Sequence, residues 1–79
     1  MKLPRDLNGD ELAEHLVKNW DYLRVHQAGS HIILDTEIPA HQRISIPSHK
    51  PLRTGTLNKI LSHIANHKGV TKEELLRKI

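Results

Sequence analysis

Cysteine is absent from this chain, which excludes disulfides, thiolate zinc sites and a thiol nucleophile. A secreted domain of this size usually needs such cross-links, so the expected location is the reducing cytoplasm. Phenylalanine is missing too, and the aromatic residues are Trp20 and Tyr22 alone. Trp20 is expected in the core, which argues against a sheet surface built to stack bases. No apolar run has the length of a membrane span or of a signal-peptide core, so no membrane association is expected. The 79 residues are expected to form one domain over 1–79, too small for a deep substrate cavity. Any active site must be shallow.

Acidic side chains are missing from one long stretch. Between Glu37 and Glu73 there is none, while Arg43, Lys50, Arg53, Lys59, Lys68 and Lys72 fall there with four histidines. Residues 1–40 carry four Lys/Arg against seven acids, whereas residues 41–79 carry eight against two. The net charge of +3 therefore conceals a strongly basic second half. Such a segment suits a polyanion, because each phosphate neutralised releases counterions. A merely solvated basic surface accounts for it equally well.

What is present orders itself simply. Asn8 with Glu11 has the form of a capping box, followed by Leu12, Leu16, Val17 and Trp20 on one helical face. Tyr22 to Gln27 reads as a strand, Ala28-Gly29 as a tight turn and Ser30 to Thr36 as a second strand. Glu37 to Ala40 is a loop, and Arg43 to Ile46 alternates as a third strand closed by Pro47. Leu57, Ile60, Leu61 and Ile64 mark an amphipathic helix, capped by Thr54 or Thr56 and ended by Gly69. Thr71 with Glu74 opens a short terminal helix that should bury Leu75, Leu76 and Ile79. The order α-β-β-β-α-α implies an α+β fold, a three-stranded antiparallel sheet packed on helices with its other face wet. It resembles the double-stranded-RNA-binding domain, and fold alone assigns no function.

Three features could carry chemistry. Gly29-Ser30-His31 places an imidazole at the turn into the second strand, at the sheet rim. An imidazole titrates near neutral pH and can take or give a proton in phosphoryl transfer. A strand-end histidine that only bonds locally is the plainer reading, and Ile32-Ile33-Leu34 leaves the direction of His31 open. The loop from Pro47 to Thr56 sets His49, Lys50, Arg53 and three hydroxyls before a helix start, where free amides favour phosphate. An ordinary capped helix after a solvated loop explains it as well. His63 and His67 are spaced i, i+4, but no glutamate follows His63 and no third ligand is close in sequence. They read as helix-surface residues, with no metal and no cofactor expected. Asp35 and Glu37 share a strand face, which usually means two solvated carboxylates.

Taken in order, these stretches resemble the HicA toxins. Leu3-Pro4-Arg5-Asp6-Leu7-Asn8-Gly9-Asp10-Glu11-Leu12 is similar to the family's opening. Tyr22, Val25, Gln27, Gly29, Ser30 and His31 fit its pattern of an aromatic, an aliphatic and then Gly-Ser-His. Ile46-Pro47-Ser48-His49 resembles its Val-Pro-x-His, and Gly55-Thr56-Leu57, Ile60-Leu61 and Gly69 to Leu75 also fit. Asp21 stands where glycine is usual, and His26 where arginine is frequent. Loss of that arginine could weaken RNA affinity, although Arg24 is near in sequence.

The resemblance implies a metal-independent messenger-RNA interferase, the toxin of a type II toxin–antitoxin pair. Its one required histidine carries over to His31. It also implies a HicB-type antitoxin as partner, with any DNA contact made only through that antitoxin. RNA would be cut by its own 2′-hydroxyl, with His31 as general acid or base and cations stabilising the phosphorane. Gly29, Ser30, Arg24, His49, Lys50, Arg53 and Lys59 are the expected RNA-binding residues, with His49 the next suspect for a second acid or base. A non-catalytic RNA-binding module would use the same basic face, and would be told apart by failing to degrade RNA in a chelator. A protein-interaction or DNA-binding helix pair from Leu57 to Ile79 is the remaining reading, with few exposed groups to read bases.

Overall fold

Asn8 begins the first helix as its composition suggests. Its side chain accepts from the Glu11 amide at 2.8 Å, and the Glu11 carboxylate accepts from the Asn8 amide at 3.0 Å. The computed structural model describes residues 3–77 and 79. It contains α1 (Gly9–Asn19), β1 (Leu23–Ala28), β2 (His31–Thr36), β3 (Gln42–Pro47), α2 (Thr54–Lys68) and α3 (Lys72–Leu76). The strands form one antiparallel sheet in the order β1-β2-β3. This is the α-β-β-β-α-α arrangement that the sequence implies.

Alternation decides which face is buried. Ile32, Leu34 and Thr36 of β2, with Ile44 and Ile46 of β3, turn inward against Leu12 and Leu16 of α1 and Leu57, Leu61 and Ile64 of α2. Burying each such aliphatic side chain contributes about 1.5–3 kcal/mol against the chain entropy lost. His31, Ile33 and Asp35 occupy the opposite row, so the direction of His31 is settled: it lies on the uncovered face and is exposed.

β1 behaves differently, with all six residues exposed. A bulge at Val25 interrupts its pairing with β2, so Leu23 lies opposite Asp35 and Arg24 opposite Leu34. The turn before β2 is Gly29-Ser30 rather than Ala28-Gly29, with Gly29 in the left-handed region at φ 60°.

Several local expectations are corrected. Trp20 only packs half-buried against the core, Val17 is 38 % exposed, and Tyr22 is the aromatic residue that is fully enclosed. Tyr22 precedes β1 instead of opening it, because the chain turns there through Asp21 at φ 62°. That left-handed conformation gives glycine a physical reason to stand at this position, and Asp is among the side chains that tolerate it. α2 begins at Thr54 with Arg53 as a cap that makes no side-chain bond, so neither Thr54 nor Thr56 caps it. Tertiary anchoring fixes that start: Leu52 is buried and its amide donates to the Leu7 carbonyl at 2.9 Å. Gly69 ends α2 in the left-handed conformation, and Thr71 with Glu74 closes a second capping box. Leu75 is buried, but Leu76 is half-buried and Ile79 exposed, because α3 is a single short turn against α2.

Buried polar groups are satisfied from neighbouring elements. His15 on α1 donates from Nε2 to the Leu75 carbonyl and accepts at Nδ1 from Asn19, tying α1 to α3. The Tyr22 hydroxyl donates to Gln42 Oε1 at 2.6 Å, with Lys68 Nζ lying 4.8 Å from the ring centre. Lys68 also donates to Thr36 Oγ1 and the Ile38 carbonyl. Burial lowers its pKa, and the Asp21 charge partly offsets that.

Burial pushes the Tyr22 pKa from 10.0 up to about 12. A group that holds its proton more tightly when folded stabilises the fold below its unfolded pKa and loses that contribution as pH rises through its folded one. Stability should therefore fall between about pH 10 and pH 12. Tyr22 is the sole tyrosine, so phenolate absorbance reports on it alone. It should rise together with loss of far-UV circular dichroism. A phenolate signal at pH 10 from protein that remains folded would contradict the enclosed environment.

Candidate active site

The N-terminal end of β2 gathers the polar residues of the uncovered face. The Gly29 turn carries the chain into β2, and His31 stands first in the strand, paired with Ala28 of β1 and Pro47 of β3. His31 Nδ1 and Ser45 Oγ are hydrogen-bonded at 3.2 Å. Ser45 lies opposite Ile33, one step diagonally from His31. A hydroxyl can either donate to or accept from an imidazole nitrogen, so Ser45 can hold the ring with Nε2 directed to a substrate.

The sheet continues past its last pair at this end. The Ser48 amide donates to the Ser30 carbonyl at 2.6 Å, which brings the start of the Pro47–Arg53 loop beside the Gly-Ser-His turn. Ser48 Oγ donates to Asp10 on α1 at 3.2 Å, and the Gly9 amide donates to the His49 carbonyl at 3.1 Å. The first turn of α1 thereby fixes the loop. His49 and Lys50 are exposed.

The structure thus brings together Gly29, Ser30, His31 and Ser45, with Ser48, His49 and Lys50 adjoining. It does not bring the other expected RNA contacts onto the same face. Arg24 pairs with Leu34, a member of the helix-facing row, and is exposed at the sheet edge. Arg53 and Lys59 belong to the start of α2, in the helix layer, and both are exposed. That helix start carries no acidic residue in its first turn.

Further along the face, Arg43 makes a forked ion pair with Asp35, Nε–Oδ1 at 2.7 Å and Nη2–Oδ2 at 2.9 Å. The guanidinium lowers the Asp35 pKa, chiefly through those hydrogen bonds. Glu37 accepts from His41 at 2.7 Å, so Asp35 and Glu37 are occupied separately and do not act as a pair. His63 is exposed, while His67 Nε2 donates to the Ala40 carbonyl at 2.7 Å. Among the described residues no three His, Asp or Glu side chains gather as a metal-binding group. No helix among them is long and apolar enough to cross a membrane.

Two concavities, of about 280 and 410 Å³, open elsewhere, one beside Glu11, His15 and Lys18, the other beside Val17, Leu23 and Ile38. His31 lines neither, and its surroundings are the open sheet surface. A long polymer can lie across such a surface, whereas a small substrate would remain largely solvated.

Sequence reasoning missed Ser45 and the Asp35–Arg43 pair. Alternation in Arg43-Ile44-Ser45-Ile46 turns Arg43 and Ser45 away from the core, which was the available signal. Which β2 residues they would meet depends on register, and the loop from 37 to 41 sets that without a turn signature. Comparison of the chain with protein-family models, with curated proteins and with solved structures finds no match in any of them.

Proposed function

We propose that this protein is an endoribonuclease toxin of the HicA type that cleaves messenger RNA without a metal. The observation that carries this reading is His31, exposed on the open face of the sheet and held by Ser45 beside the Gly-Ser turn. When Nδ1–H donates to Ser45 Oγ, the Nε2 lone pair is free to accept the proton of an RNA 2′-hydroxyl. The activated 2′-oxygen attacks the adjacent phosphorus, and the products are a 2′,3′-cyclic phosphate and a 5′-hydroxyl. His49 and Lys50, adjoining on the loop, supply cationic and hydrogen-bonding groups for flanking phosphates, with Arg53 and the start of α2 beyond them.

In this reading the domain is of double-stranded-RNA-binding type and works in the cytoplasm. A HicB-type antitoxin silences it by covering the His31 face, and DNA is contacted only through that partner. The decisive experiment is incubation of purified protein with a messenger RNA in excess EDTA, followed by analysis of the new ends. Cleavage leaving cyclic phosphate is the expected result. Activity that disappears with chelator and returns with magnesium or zinc would overturn the mechanism.

Lys50→Ala and Arg53→Ala should each weaken binding of a non-cleavable 2′-methoxy RNA over all sequences. Each should also flatten the dependence of log Kd on log salt by about one unit. Fluorescence anisotropy over a salt series measures both effects. Variants that bind like wild type would place the RNA over another face.

A further inference from the structure

The cleavage is proton-neutral overall, but a single imidazole cannot serve both ends of one concerted step. The 2′-hydroxyl must lose a proton as the 2′-oxygen–phosphorus bond forms, and the 5′-oxygen must gain one as its bond to phosphorus breaks. In-line displacement places these oxygens on opposite sides of phosphorus. Acid and base must therefore stand on either side of the bound phosphate.

The open face of the sheet carries four titratable side chains in its paired rows: His26, His31, Asp35 and Arg43. Asp35 and Arg43 hold each other in the forked ion pair described above. His26 remains. It lies opposite Ile33, in the same outward row as His31, and is exposed, with no side-chain hydrogen bond among the described residues. His31 lies opposite Ala28, two residues along β1 from His26. The two histidines are thus diagonal neighbours on adjacent antiparallel strands, an arrangement that sets their positions about 7–8 Å apart. That spacing of positions leaves room for a phosphate between the two side chains, with one imidazole on either side of it. Ala28, opposite His31, contributes only a methyl group, and Ile33, opposite His26, stands on the same face at the other corner of this square. Ser45 lies on the other side of Ile33 from His26, so the hydroxyl that orients His31 does not occupy the space between the histidines.

We infer that His26 is the second catalytic residue, the general acid that protonates the 5′-oxygen leaving group while His31 accepts the 2′-hydroxyl proton. This rests on the ribonuclease reading above. At the end of the step His31 holds the proton taken from the 2′-hydroxyl, and His26 has given one to the 5′-hydroxyl product. Exchange with water restores both.

The test compares wild type, His26→Ala, His31→Ala and His49→Ala on two RNA substrates. One has the ordinary 5′-oxygen at the scissile bond, the other a 5′-bridging sulfur, which leaves without needing a proton. His26→Ala should lose about 10²–10⁴-fold on the ordinary substrate, the usual contribution of a general acid. It should recover to near the wild-type rate on the sulfur substrate, whereas His31→Ala should stay slow on both. Circular dichroism of each variant verifies folding, and His26 is a surface side chain. If wild type cleaves and His26→Ala cleaves equally well, or is equally impaired on both substrates, His26 is not the acid. Selective rescue of His49→Ala instead would transfer the role to the loop histidine and overturn the assignment. Wild type that cleaves neither substrate would overturn the ribonuclease reading itself.

Discussion

Induced expression of the wild-type chain should arrest growth, and His31→Ala should relieve the arrest while the protein stays folded. General acid–base catalysis contributes about 10²–10⁴-fold, so the variant should lose roughly 3–5 kcal/mol of transition-state stabilisation. The fold should scarcely notice. His31 is exposed, and its one side-chain hydrogen bond among the described residues goes to Ser45 on the wet face. Surface changes of that kind usually alter stability by no more than about 0.5 kcal/mol. The measurement is growth at matched protein levels, with a thermal melt of both proteins. Equal toxicity would remove His31 from the chemistry.

Gly9→Ala should produce the opposite outcome, a folding defect that arises from backbone packing. A Cβ at position 9 would lie 1.8 Å from the Pro47 carbonyl oxygen and 2.8 Å from its carbonyl carbon. Both are backbone atoms, so no side chain can swing aside. Alanine is favoured over glycine in a helix by at most about 1 kcal/mol, and less in the first turn. Overpacking typically costs about 1–3 kcal/mol and more when backbone must move, so the clash wins. For a domain of this size each kcal/mol lowers the melting midpoint by about 4–8 °C. A fall of roughly 10 °C is expected by thermal circular dichroism. A midpoint within about 2 °C of wild type would show that α1 and the end of β3 are less tightly packed than described. The same contact supports the Ser48–His49 corner, so residual cleavage by the folded fraction should also fall.

The element order was legible because local signals agreed with the global packing. Asn8 with Glu11 and Thr71 with Glu74 carry their helix starts in four consecutive residues, and both boxes close as written. The apolar residues of β3 alternate, and its two isoleucines are buried. Legibility failed where a distant contact decides. Leu52 is pinned to Leu7, and this starts α2 without the threonine cap its sequence offers. Trp20 and Tyr22 lie two residues apart, and the backbone reversal at Asp21 determines which of them is enclosed. The candidate site was half visible. Gly-Ser-His marks the turn, but the direction of His31 follows from Ile32 and Leu34 meeting the helices, and its neighbours follow from strand register. Neither is written within a few residues of His31.

The bulge at Val25 also shapes what the β1 edge offers to another chain. β1 is an outer strand of the sheet, and the amides and carbonyls along an outer edge are the groups that another chain would pair with as an additional strand. Pairing with β2 is regular over Leu23 and Arg24 and again over His26 to Ala28, with Val25 out of step between them. An incoming segment would therefore find two short docking runs rather than one continuous rail, with Arg24 and His26 flanking the break. A bulge twists and bends the strand that holds it. The exposed Leu23 and Val25 side chains thus sit on a bent rim, a poorer template for an added strand than a flat, regular edge would be.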